Sequence, residues 1–302
     1  MTPLNSRLGT WSCFIALFGC LSAAAALDTA KIGQLTGLKG ALNTNEGVFK
    51  VTAPRNDVKI AVDGWTMPPF MGLTSWAAFT EGKKAEAMVM GDLVLLQDEV
   101  NPVMSAALDS GLSVTALHNH FFFDEPKVFF MHIGGEGAVE KLATGVKLAL
   151  DKVKEIRAAH PQPATRFGGA ALPSENSITG EAIEEILGAK GQSKDGMFKV
   201  VIGRTTKLPC GCTMGKEMGV NTWAAFAGAD DNAIVDGDFA VIEDELQPVL
   251  KSLRRDSLNI VAIHSHMTHE NPRILFLHYW GRGKAADLAR SLKTALKQTR
   301  QN

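Results

Sequence analysis

The chain has 302 residues, 45% of them hydrophobic and 21% charged, a composition that folds and a length that suits two ordinary domains or one large one. Its formal net charge of -1 leaves no overall field to draw in nucleic acid or an anionic membrane. The basic stretch from Lys293 to Arg300 reads as the polar face and last turn of a helix, so nucleic acid is not an expected partner.

Residues 1–26 begin with a single basic residue, Arg7, continue as an apolar run from Trp11 to Leu21 and end in small residues from Ser22 to Ala26. That is the order of a secretory signal peptide. The run falls short of the roughly 20 apolar residues that a membrane span needs. The expectation is cleavage after Ala26, a periplasmic or secreted location, and a mature chain without a transmembrane segment. The pair Gly19–Cys20 keeps open a second reading, a lipid anchor through Cys20. Cys210 and Cys212 then remain, in "LPCGCTMG". A disulfide between positions i and i+2 closes a very small ring, and two thiols fall short of the four ligands of structural zinc. The sequence leaves their role and redox state open.

Past the signal, a helix is predicted from Lys31 to Leu38 and a strand at Phe49. A second extended stretch crosses "DGWTM" (63–67), and "SWAAF" (75–79) begins another strand. "AEAMVMGDLVLL" is a strand candidate, and "EVNPVMSAALDSG" a helix with Pro102 in its first turn and Gly111 just past its end. "LSVTALHNHF" and "PKVFFMHIGG" are strands around a tight loop. "GAVEKLATGVKLALDKV" closes the series as an amphipathic helix, with Val139, Leu142, Ala143 and Val146 on one face. Residues 158–177, rich in Pro, Gly and Ala, form a linker. A helix from Glu181 to Leu187 and a strand at Phe198 then begin the same order again.

The recurrence is a duplication. "ALHNHFFFDEPKVFFMH" (116–132) and "AIHSHMTHENPRILFLH" (262–278) match at a constant offset of 146, as do "GDLVLLQDEVNPVM" (91–104) and "GDFAVIEDELQPVL" (237–250). At an offset of 147, "SWAAF" meets "TWAAF" and "DGWTM" meets "CGCTM". The expected architecture is therefore α+β: two tandem homologous repeats, 29–157 and 178–300. Each is an antiparallel sheet with helices packed on one face and a β-α-β-β-α tail.

Six of the eight histidines occupy matching positions of the duplicated block. His118 and His120 stand two apart on a predicted strand and so share a face. The short loop returns the chain antiparallel, and a turn centred near Glu125 sets His132 directly across from His118. His264, His266 and His278 repeat the pattern. Three convergent imidazoles suit Zn, Cu, Ni or Fe in the divalent state, and three ligands with an open position are the usual catalytic arrangement. Asp124, Glu125 and Glu270 in the loops are candidate additional carboxylates. Trp76, Asp92, Trp223 and Asp238 are candidate walls of a ligand site. For the two aspartates, each following a glycine in mid-strand, a bulge is the alternative. Phe79 and Phe226 read as core, as do the two tryptophans on the blander reading. Glu99 and Glu245 read as helix N-terminal caps.

Taken together, "LTSWAAF", "MVMGDLVLLQDEVNPVM", "VTALHNHFFFDEPKVFFMHIGG" and their second copies resemble the LppY/LpqO family of bacterial exported proteins. The resemblance covers nearly all of the chain past residue 26. It implies an exported, sometimes lipidated, protein of two repeats, and no particular chemistry. The sequence supplies no nucleophile, so the expectation is a binding protein with a histidine-cluster site in each repeat, taking a divalent transition metal or another small ligand. The alternative is a metal-dependent hydrolase or oxidase acting on an envelope or extracellular substrate. Oligomeric state is left open.

Overall fold

The computed structural model describes residues 27–300; the signal peptide and the Cys20 anchor expected from the sequence lie outside them. The first repeat runs α1 (Thr29–Thr36), β1 (Gly40–Asn43), β2 (Val48–Pro54), β3 (Ala61–Val62), β4 (Trp65–Thr66), β5 (Thr74–Glu81), β6 (Ala87–Leu96), α2 (Gln97–Asp109), β7 (Ser113–His118), β8 (Asp124–Glu125), β9 (Val128–Gly137) and α3 (Val139–Ala159). The second runs α4 (Gly180–Leu187), β10 (Gly191–Lys194), β11 (Met197–Gly203), β12 (Thr206–Lys207), β13 (Thr213–Met214), β14 (Asn221–Ala229), β15 (Asn232–Ile242), α5 (Glu243–Arg255), β16 (Asn259–His264), β17 (Ile274–Gly283) and α6 (Ala285–Leu296).

The two repeats share one antiparallel sheet of twelve strands, ordered β1-β2-β5-β6-β9-β7-β16-β17-β15-β14-β11-β10. Exchanging each strand for its counterpart reverses this order without changing it. The repeats are thus related by a pseudo-twofold axis at the β7/β16 seam.

Strand alternation assigns the faces. In β6, Val89, Leu93 and Leu95 join the main core with Met104 of α2 and Leu142 and Val146 of α3; Phe226, Val235 and Phe239 do so in the second repeat with α5 and α6. The intervening Asp92, Val94 and Leu96 point to the opposite face, which carries none of the six α-helices of the described residues. At one end of each repeat, loops fold over that face and cover smaller cores. One is Ile60, Met67, Leu73, Val94, Leu96, Val128 and Phe130; the other is Val220, Ala240, Ile274 and Phe276. The expected α+β repeats are present in this form.

α2 begins at Gln97, earlier than the sequence suggests, so Pro102 lies inside the helix rather than in its first turn. Proline removes the N–H that residue 102 would donate one turn back. Glu99 secures the helix start in two ways. It accepts from the Leu96 N–H at 2.8 Å, and it takes both terminal nitrogens of buried Arg55, at 2.6 and 2.9 Å. Glu245 does the same with the Ile242 N–H and Arg204. The expected capping role is present, with a buried ion pair added to it.

The seam is narrow. Leu117 and Ile263 are its registered pair, and each strand carries a bulge against its other neighbour, between Val114 and Ala116 in β7 and between Ile260 and Ala262 in β16. Side-chain amides satisfy backbone groups beside each bulge. Asn101 of α2 accepts from the Ile260 N–H at 2.7 Å and donates to the Ile260 carbonyl at 3.1 Å. Gln247 of α5 accepts from the Val114 N–H at 3.0 Å and donates to the Val114 carbonyl at 2.7 Å. Each repeat thereby completes the other's strand.

Candidate metal centre

Both histidine clusters lie on the face without α-helices. In the first repeat His118 ends β7, His132 is in β9, and His120 sits just past the end of β7. The register pairs His132 with Ala116 and His118 with Phe130, so the direct His118–His132 opposition expected from the sequence is replaced by a diagonal. The loop is the cause: the paired strands centre on residue 124 rather than 125, which moves the partner of His132 from His118 to Ala116. The three rings nevertheless meet. His118 and His132 bring their Nε2 atoms to 3.1 Å, and the His118 and His120 ring centroids are 5.1 Å apart. His120 is held by stacking on Phe130, centroid to centroid 3.4 Å.

The second repeat repeats this. His264 and His266 have Nε2 atoms 3.1 Å apart, His264 and His278 stack at 4.8 Å, and His266 lies on Phe276 at 3.4 Å. Leu117 faces Ile263 across the seam, so His118 and His264 are diagonal neighbours on the other face, where such positions are roughly 7–8 Å apart. The two clusters are separate but adjoining.

The carboxylate at each cluster is not one of those expected from the loops. Asp124 accepts from the Val128 N–H at 2.7 Å and Glu270 from the Ile274 N–H at 3.1 Å, so both are buried closing their own loops. Glu125 is exposed, in a backbone pairing with Ala61. The cluster carboxylates are Asp92, opposite His132, and Asp238, opposite His278. No bulge interrupts either register there, so the bulge reading of these aspartates does not hold. Asp238 Oδ2 is 3.7 Å from His266 Nε2, and Oδ1 is 4.0 Å from His278 Nδ1. Trp76 and Trp223 lie one strand further out, opposite Asp92 and Asp238, with Lys50 and Lys199 amines 4.3 and 4.2 Å over their rings. They flank the clusters half-buried, whereas Phe79 and Phe226 are fully in the core.

One of the clusters has donors that could hold a metal ion. Asp238, His264 and His266 each offer a ligand atom within 4.8 Å of the others. Asp92 Oδ1, His132 Nδ1, Asp238 Oδ1 and His264 Nδ1 are buried with no hydrogen-bond partner among the described residues. Burial raises the Asp238 carboxyl, against the pull of His278 and His266. Burial, with His278 and His266 beside it, pushes His264 down to about 4. Burial also lowers His266 and His120. These imidazoles stay neutral at pH 7, the form that binds metal.

The His264 shift makes a prediction for the metal-free protein. The unfolded chain takes up a proton as pH falls through about 6.5, and the folded chain refuses it until about 4. Stability is therefore intact above about 6.5 and lost progressively over that window. Urea midpoints measured from pH 7 to 4 should fall more steeply in the native protein than in His264→Gln; parallel curves would show that His264 does not carry the effect.

A domain family described as "Domain of Unknown Function (DUF1259)" matches residues 30–152 and again 181–298. The chain belongs to that family and contains its domain twice. No curated protein matches the sequence. Among solved structures, a trimeric bacterial microcompartment shell protein, PduB, is similar at 9% identity with a TM-score of 0.22, over 85% of this chain and 88% of that one. A likeness of that size carries no argument. None of the described helices is long and apolar enough to cross a membrane.

Proposed function

We propose that this is an exported protein of the LppY/LpqO type. Each repeat binds a divalent transition metal, and the better-formed centre is Asp238, His264 and His266 with His278 beside them. The observation that carries this reading is the pair of Nε2 atoms 3.1 Å apart next to a buried carboxylate whose Oδ1 has no hydrogen-bond partner. Two nitrogens on one tetrahedral zinc at 2.0–2.1 Å stand about 3.3 Å apart. A mixed nitrogen and oxygen donor set suits Zn, Cu, Ni and Fe alike. His266 and His278 keep 38% and 42% of their side-chain surface, so an open coordination position faces solvent and any small ligand there. Asp92, His118, His120 and His132 form the corresponding centre of the first repeat.

The test is calorimetric titration of chelator-treated protein with Zn²⁺, Cu²⁺ and Ni²⁺. Saturable uptake is expected, lost when all six cluster histidines become alanine. No uptake, or uptake that survives those substitutions, refutes the reading. Export has its own readout, the mass of the protein recovered outside the cytoplasm. A mature N-terminus near Leu27 is expected; an intact Met1 contradicts export, and a lipid-modified Cys20 replaces simple cleavage with anchoring.

A further inference from the structure

The turn Cys210–Gly211–Cys212 is separate chemistry. It joins β12 to β13, whose pairs Thr206↔Met214 and Lys207↔Thr213 fix its base. The loop closes on itself: the Leu208 N–H donates to the Cys212 carbonyl and the Gly211 N–H to the Leu208 carbonyl, both at 2.9 Å. Gly211 has φ +81°, a conformation that glycine adopts freely and other residues avoid. That conformation lets two side chains two positions apart turn toward each other. Both thiols are free and exposed, and the Cys212 N–H points at Cys210 Sγ from 3.4 Å. The hairpin is also anchored. Lys207 and Asn271 exchange backbone hydrogen bonds at 3.1 and 2.9 Å, tying it to the loop that follows His266 and His269.

We propose that Cys210 and Cys212 form a two-thiolate site for a soft monovalent cation of the copper(I) class, distinct from the histidine clusters. Two sulfurs satisfy an ion content with two soft ligands, whereas structural zinc wants four. The pocket is an open turn tip, so a linear or bent two-coordinate ion meets no steric wall. The neighbouring Cys212 lowers the Cys210 thiol and Cys210 raises the Cys212 thiol in turn, so Cys210 is the first of the two to ionise. On binding, each thiol releases its proton to solvent as its S–Cu bond forms, and copper remains monovalent throughout. The first repeat has Asp63 and Trp65 at the matching positions, so one such ion is bound per chain.

The experiment is an anaerobic titration of the reduced mature protein with copper(I), held against a chromophoric copper(I) chelator. Maleimide labelling of the thiols is followed in parallel. One equivalent should be taken from the chelator and both cysteines protected. Cys210→Ser and Cys212→Ser should each weaken this uptake at least about 100-fold, and His264→Ala/His266→Ala should leave it unchanged. Both cysteine variants lie on an exposed turn, and circular dichroism verifies their fold. Thiols that stay reactive at one equivalent of copper(I) overturn the proposal. So does copper(I) uptake that survives in the serine variants or disappears with the histidines. Failure of the divalent-metal reading leaves this result untouched, because the two use different residues and different ions.

Discussion

Asp238→Asn should bind divalent metal in the second repeat about 100-fold or more weakly than the native protein, and its metal-free form should be the more stable of the two. The affinity loss is expected to exceed the 10–100-fold range seen when only the partner of a ligand is removed, because here a ligand oxygen itself loses its charge. The gain in stability follows from burial. Asp238 is 3% exposed, its Oδ1 has no partner, and its carboxyl is pushed up by desolvation. Replacing that charge with a neutral group of the same shape relieves an electrostatic penalty, worth about 1 kcal/mol on the scale of an unsatisfied buried acceptor. A structural aspartate would behave in the opposite way and lose stability on substitution. Urea unfolding without metal, set beside calorimetry with zinc, separates the cases. An Asn variant that is less stable and binds metal normally removes Asp238 from the site.

The second large effect is expected at the seam. Asn101→Leu strands a buried N–H and a buried carbonyl of Ile260, each costing about 1–3 kcal/mol when left without a partner. A total destabilisation of about 2–4 kcal/mol is expected, and Gln247→Leu, at a partly exposed position, should lose less. Because the two amides serve different strands, the variants should also broaden the denaturant transition as the repeats begin to unfold separately. Urea unfolding followed by far-ultraviolet circular dichroism and by tryptophan fluorescence checks this. Loss of less than about 0.5 kcal/mol in Asn101→Leu would mean that water replaces the amide at no cost.

The repeat, the helix faces and the histidine trios were legible in the sequence because each is written as local periodicity and then written again. The constant offset even aligned Asp92 with Asp238. What the sequence concealed was which carboxylate joins the imidazoles. Asp124, Glu125 and Glu270 are near the histidines along the chain, but a loop carboxylate next to free backbone N–H groups closes its own loop first. Asp92 and Asp238 come from the neighbouring strand of the sheet, tens of residues away. The usable signal was an acidic residue in the middle of an otherwise apolar strand, present in both copies. The His118–His132 register differs for another reason: the hairpin centres on residue 124 rather than 125, and a long loop does not show in its composition where it turns. Nor does periodicity reveal that two sheets share an edge, since it reports which face of a strand is buried and not which strand lies beside it.

The reciprocal amides at the seam have a wider meaning. Asn101 and Gln247 are the same position in the two copies, and each reaches the other copy's bulge, as in the self-complementary contact of a twofold homodimer. The covalent linker supplies mainly a high effective concentration of one half for the other. It also removes a restriction that binds every true homodimer, in which any substitution appears twice. Within one chain the halves are free to specialise while the shared face stays intact. At their outer loops they have done so: one tip carries Trp65, Phe122 and Phe123, and the other Cys212, Thr268 and His269.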